Sequence, residues 1–160
     1  MSLPQLRPIL KQLAMGRSRY LFGLDRVPDD RLNYSPGGDA RSPLALADYH
    51  ANFFRMVNYL ITRRAFPTER PEIVPSASRE EAKAKVDAAY GALIATVKEL
   101  SEDDLRKTLP APWGGELTVE EFLTAGVFVA GYTQGQLNYV QMCYGDTDAN
   151  IPPGWGTEEP

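Results

Sequence analysis

Few residues of this chain could bind a metal or move a proton, and they are widely spaced. His50 is the only histidine and Cys143 is the only cysteine. A catalytic zinc site normally uses three protein ligands. No other potential ligand lies at a metal-binding spacing from His50 in the sequence. Asp48 is two residues away, and its side chain would point to a different side of a helix. Two interpretations of His50 therefore remain: a hydrogen-bonded core residue or a general base.

The other chemically active side chains form no catalytic pattern. Cys143 lies about 15 Å along a helix axis from Thr133, and we expect it to be a small buried hydrophobe. The chain shows no Ser-His-Asp arrangement and no glycine-rich phosphate loop. We therefore assign no catalytic residue.

Composition and charge argue against nucleic acid and membranes as partners. The 160 residues are 43% hydrophobic and 24% charged, as expected of one globular domain. The net charge of −4 provides no basic surface for nucleic acid. No apolar run approaches the roughly 20 residues that span a membrane. A single cysteine suits a reducing compartment, so we expect a cytoplasmic protein.

The apolar spacing predicts an all-α fold of four amphipathic helices, over about residues 3–25, 43–64, 79–100 and 119–143. These helices predict a four-helix bundle with long connections between helices 1 and 2 and between helices 2 and 3. Ser101 begins a short acidic turn, and residues 108–117 are expected to be irregular, with no strands. Ser42-Pro43 and the capping boxes Ser78–Glu81 and Thr118–Glu121 mark three helix starts, and Gly145 occupies the position of a left-handed helix cap.

Two polar residues lie on the stripe of the last helix that should face the interior. Thr133 and Gln136 would need hydrogen-bond partners there, from each other, the backbone, His50 or water. They would line a polar pocket or form a structural network that fixes the helix register. Arg17 and Tyr20 of the first helix are candidates to join either arrangement.

Three stretches resemble the DinB-like superfamily, and together they cover roughly residues 5–146. They are "VPDDRLNYSPGGDARSPLALADYHANFF", "LPAPWGGELTVEEFL" and "VAGYTQGQLNYVQMCYG". In the last, the family has His-x-x-x-His, one further residue and then Gly-Gln. The resemblance implies a DinB-like bundle over residues 1–146. The tail, residues 147–160, is expected from its own composition to be loose, although Trp155 could dock on the body.

The family's metal ligands fall on three positions of this chain. His50 is retained, whereas Val129 and Thr133 replace two histidines. Valine binds no metal, and a neutral hydroxyl is a poor ligand for the nickel or zinc that the family holds. The resemblance therefore implies a degenerate site with no metal or other cofactor. The expected pocket residues are His50, Val129, Thr133, Gln136 and Tyr20.

Three kinds of function remain open on these grounds. The first is a metal-free bundle that binds a small molecule or acts as an accessory protein. The second is an enzyme, either a metal-dependent hydrolase or low-molecular-weight-thiol S-transferase, or a metal-free transferase with His50 as general base. The third is a structural role through a homodimer, which the resemblance makes plausible because DinB-like bundles often pair through their helices.

Overall fold

The computed structural model describes residues 3–69 and 71–159. It confirms an all-α bundle of four long helices: α1 (Arg7–Asp25), α2 (Pro43–Arg63), α3 (Arg79–Lys98) and α5 (Val119–Cys143). A short helix, α4 (Glu102–Arg106), lies between α3 and α5. A single 3-10 turn, Pro4–Leu6, precedes α1.

The starts of the helices follow the predicted capping residues. The Ser42 side chain accepts a hydrogen bond from Ala45 N, and Pro43 is the first residue of α2. Thr118 and Glu121 form a complete capping box at the start of α5. At α3, Ser78 accepts from Glu81 N, but the Glu81 carboxylate accepts from Ala77 N at 2.9 Å instead of completing the box.

The end of α5 is a Schellman motif, in which two backbone N–H groups beyond the helix donate hydrogen bonds to carbonyl groups of its last turn. Gly145 has φ +97°. Its N–H donates to Met142 O, and Asp146 N donates to Gln141 O, both at 3.1 Å. The predicted glycine cap is therefore present, and it stops the longest helix of the bundle.

The helices pack so that consecutive elements are often not neighbours. Both α1 and α2 contact α3 and α5, which places α1 diagonally across from α2 and α3 diagonally across from α5. The connection between α1 and α2 reaches the start of α3. There Arg79 donates to the Val27 carbonyl and forms an ion pair with Asp29 at 2.7 Å. The long connection is thus needed to cross one end of the bundle.

The segment between α3 and α5 is more ordered than we predicted. The acidic turn is helix α4, with a capping box between Ser101 and Asp104. The stretch expected to be irregular contains an antiparallel hairpin of β1 (Thr108–Pro110) and β2 (Glu116–Thr118). Its turn uses Gly114 and Gly115, both at positive φ. Strands of three residues are too short for alternation to reveal them.

The C-terminal tail packs on α1 rather than lying loose. Trp155 Nε1 donates to the Met15 carbonyl at 3.0 Å. Arg19 donates to the Ala149 carbonyl, and Asn150 is buried. Among the described residues, no helix is long and apolar enough to cross a bilayer.

Candidate functional site

His50 lies at the centre of the bundle, completely buried among aromatic rings. Its imidazole stacks on Tyr20, with ring centroids 3.8 Å apart and planes within 9°. Phe54 contacts it edge-on, at a centroid distance of 5.0 Å. The Tyr90 ring also lies beside it, at a centroid distance of 5.5 Å. Three helices supply these rings, since Tyr20 is on α1, His50 and Phe54 are on α2, and Tyr90 is on α3.

Both ring nitrogens of His50 have hydrogen-bond partners. Nδ1 lies 2.5 Å from Thr133 Oγ1, and Nε2 lies 3.0 Å from Tyr90 Oη. The Thr133 hydroxyl also lies within 3.1 Å of the Val129 and Ala130 carbonyls. One proton arrangement satisfies every group: Tyr90 donates to Nε2, Nδ1–H donates to Thr133, and Thr133 donates to the carbonyls. The imidazole is then neutral.

Burial favours the neutral form of each titratable group in this cluster. It lowers the pKa of His50 to about 3. Burial also raises the pKa of Tyr90 well above its ordinary value, with a further contribution from Tyr20. The pKa of Tyr20 is raised by burial and by the charge of Asp48. A neutral, enclosed imidazole with both nitrogens engaged offers no free position for a substrate proton.

The Tyr20 hydroxyl differs from the other polar groups of the cluster. Tyr20 has no exposed surface, and its oxygen finds no hydrogen-bond partner among the described residues. A buried hydroxyl without a partner costs about 1–3 kcal/mol relative to one that is paired. Tyr20 therefore contributes to the site through its ring, which stacks on His50.

The residues present do not fit the metal implied by the resemblance. His50 has no free nitrogen, the Thr133 hydroxyl is directed at backbone carbonyls, and Val129 has an aliphatic side chain. Elsewhere in the described part of the chain, no group of three or more His, Cys, Asp or Glu side chains is placed to hold an ion. The two His50 nitrogens are used here to join α2 to Thr133 of α5 and to Tyr90 of α3.

Several predicted residues lie outside this cluster. Gln136 is only half-buried, and its amide donates to Tyr132 Oη at 3.0 Å on the outer side of α5, so its placement in the interior was wrong. Cys143 is exposed, not buried. Arg17 forms a partly exposed ion pair with Asp87 at 2.7 Å.

Gln134 and Asp48 are among the buried polar residues that the sequence pattern did not place in the interior. Gln134 is 7% exposed and lies against Gly23 of α1, whose own lack of a side chain provides the space. Asp48 is 5% exposed. It accepts from Ser76 N at 2.8 Å and from Ser76 Oγ at 2.6 Å, with Lys85 Nζ at 3.5 Å. Asp48 thereby fixes the connection between α2 and α3.

Comparison with known proteins identifies the family. The sequence profile of the DinB superfamily matches residues 12–128, which is most of the chain. This chain belongs to the DinB superfamily. No curated protein sequence matches it significantly.

A solved structure of another DinB-like protein has the same fold. It is the crystal structure of YjoA from Bacillus subtilis, with a TM-score of 0.72 and 15% sequence identity. The alignment covers 91% of this chain and 96% of that chain. The profile match to the DinB superfamily ends one residue before Val129, so the positions that depart from the family's closing motif lie outside it.

Proposed function

We propose that this DinB-superfamily chain is a metal-free bundle that binds a small molecule. The observation that supports this proposal is the pairing of both His50 nitrogens, with Thr133 on one side and Tyr90 on the other. In this proposal the former metal position is a structural hydrogen-bond chain, and ligand binding takes place elsewhere on the bundle. The single cysteine agrees with a cytoplasmic location, which is part of the proposal.

Elemental analysis of protein purified without a histidine tag tests the metal-free part. We expect nickel and zinc far below one ion per chain and no rise in Tm when either ion is added. A Val129→His/Thr133→His variant restores the family's ligand set and serves as the positive control. Metal at about one ion per chain that is lost in His50→Ala would overturn the proposal.

The enzymatic alternative makes a separate prediction. A hydrolase or low-molecular-weight-thiol S-transferase would show turnover that depends on His50, either through a metal or through general-base catalysis. We expect no such turnover with a thiol and an electrophile, because the imidazole is enclosed and neutral. A screen of organic compounds by thermal shift should instead find ligands that raise Tm.

We further propose that two copies of the chain associate through the outer face of α5. Four large side chains on this face are strongly exposed: Phe128 by 79%, Tyr132 by 58%, Tyr139 by 63% and Met142 by 58%. At about 100° per residue they lie within roughly 80° of the helix circumference. An exposed apolar patch of this kind typically marks an interaction surface.

Features of α5 favour a second copy as the partner. The helix has no charged residue from 122 to 143, so an isologous pairing brings no like charges together. Gly135 lies near the middle of the face, where an added Cβ would meet no other atom. An antiparallel pairing about this glycine would place Tyr132 opposite the partner's Tyr139.

A further inference from the structure

A cleft of about 380 Å³ lies between α1 and α5 and is separate from the His50 cluster. Its volume falls within the usual range of small-molecule sites, roughly 300–1,000 Å³. The tail forms one border through Trp155. We propose that this cleft binds a small organic carboxylate with a flat apolar body and a hydroxyl group, of the hydroxybenzoate class. This inference rests on the proposed binding function and assigns its site.

Gln134 supplies the first indication of a ligand. It lines the cleft and is 7% exposed. Its Nε2 donates to Asn138 Oδ1 at 2.9 Å, whereas its Oε1 finds no partner among the described residues. A buried carbonyl oxygen without a donor is energetically unfavourable. A ligand hydroxyl would supply the missing donor.

Arg19 supplies the second indication, from the α1 side of the cleft. Its Nη2 donates to the Ala149 carbonyl at 3.3 Å, and its buried Nε finds no partner in the described part of the chain. Its guanidinium lies over the Trp155 ring, 5.0 Å from the centroid. The contacts of this guanidinium are thus a neutral carbonyl and an aromatic ring. A planar guanidinium with free N–H groups is well suited to a carboxylate.

The remaining lining favours a flat apolar body between these two polar groups. Met15, Val127 and Ala130 provide apolar surface, and Gly16, Gly131 and Gly135 add no side chains. The Trp155 ring is held in place by its hydrogen bond to the Met15 carbonyl. An aromatic ring would contact these side chains while its carboxylate reached Arg19 and its hydroxyl reached Gln134.

Tryptophan fluorescence provides a direct test, because the chain has two tryptophans and only one is in the cleft. Trp113 lies in the hairpin turn and is 71% exposed. In a Trp113→Phe background, titration with 4-hydroxybenzoate or 3-hydroxybenzoate should give a saturable change in Trp155 emission. Benzoate should bind more weakly, and phenol should bind more weakly still.

Three substitutions assign the contacts in that background. Arg19→Met should weaken hydroxybenzoate binding on the order of tenfold, with a much smaller effect on phenol. Gln134→Met should reduce hydroxybenzoate affinity to that of benzoate. Arg55→Met, which removes the same charge from an exposed position of α2, is the matched control and should bind as the parent does.

The outcomes separate this inference from the proposed function. Equal binding by Arg19→Met and Arg55→Met, or no binding of either hydroxybenzoate at millimolar concentration, would overturn the assigned site and ligand class. A different compound that raises Tm of the metal-free protein would leave the binding function standing in that case. A stoichiometric metal bound through His50 would overturn the proposed function itself.

Discussion

Two tyrosines contact the imidazole of His50, but their hydroxyl groups have different roles. Tyr90 donates to Nε2, whereas the Tyr20 hydroxyl has no partner in the described chain. We expect Tyr90→Phe to lower the free energy of unfolding by about 1–3 kcal/mol, because it leaves Nε2 unpaired. Tyr20→Phe keeps the stacked ring and should leave stability unchanged or slightly higher. Urea denaturation of the two variants tests this, and equal losses would contradict the proton arrangement.

Stability should depend on pH through His50. Its pKa is lowered from 6.5 to about 3 in the folded chain, so the unfolded chain takes up a proton first as the pH falls. The stabilisation is fully present above pH 6.5 and is lost as the pH falls toward 3. Relative to pH 8, the loss should reach about 2 kcal/mol at pH 5, at about 1.36 kcal/mol per pH unit.

His50→Gln separates this effect from the titration of the carboxylates. The amide can still donate to Thr133 and accept from Tyr90, but it does not ionise. The difference in unfolding free energy between the parent and this variant should decrease from pH 8 to pH 5. A difference that stays constant over this range would show that His50 does not titrate as expected.

At the residue scale, the sequence was enough to place His50 and Thr133 in the interior but not Gln136 or Cys143. The predicted stripe alternated spacings of four and three residues, through positions 122, 126, 129, 133, 136, 140 and 143, and so repeated every seven residues. In a straight helix such a stripe turns away from a fixed face by about 20° per heptad. The buried arc of α5 follows α1 instead and includes Gln134. A single stripe does not reveal which neighbouring helix a residue faces.

At the scale of the helix, the end of α5 depends on glycine. Gly145→Ala should destabilise the fold by about 1–2 kcal/mol, because φ is +97° at this position and a Cβ disfavours it. Gly91→Ala is the matched control within α3, where an added Cβ meets no atom within 4 Å. It should stabilise the helix by about 0.5–1 kcal/mol. Thermal unfolding of both variants would reveal opposite shifts in Tm.

The elements could be predicted wherever a local signal determines them. Ser42-Pro43 and the Thr118–Glu121 capping box fixed two helix starts because a side chain satisfies backbone N–H groups within four residues. The hairpin could not be predicted in this way. Its strands pair residues that are distant in sequence, such as Thr108 with Thr118, so no local signal determines the pairing. Three residues per strand are also too few to show a periodicity.

At the scale of the whole molecule, the α5 face predicts a dimer. Sedimentation at tens of micromolar should give twice the 17.8 kDa mass of the chain. Tyr139→Glu places a charge on the apolar face and should give a monomer, since each copy would bury an unpaired carboxylate against the partner's Tyr132. Tyr59→Glu, on α2, is the matched control and should remain dimeric. A parent protein that sediments at 17.8 kDa would contradict the assigned interface.

The diagonal placement of α1 and α2 has a consequence for the chain as it leaves the ribosome. Both long partners of α1, namely α3 and α5, lie beyond residue 78. Residues 7–63 therefore carry two amphipathic helices whose apolar faces are covered mainly by α3 and α5, which are synthesised later. Among the long described helices, α2 and α3 are the consecutive pair that also pack together, so they should form the earliest stable contact during synthesis. Until α3 emerges, the nascent chain exposes apolar surface that a chaperone would bind.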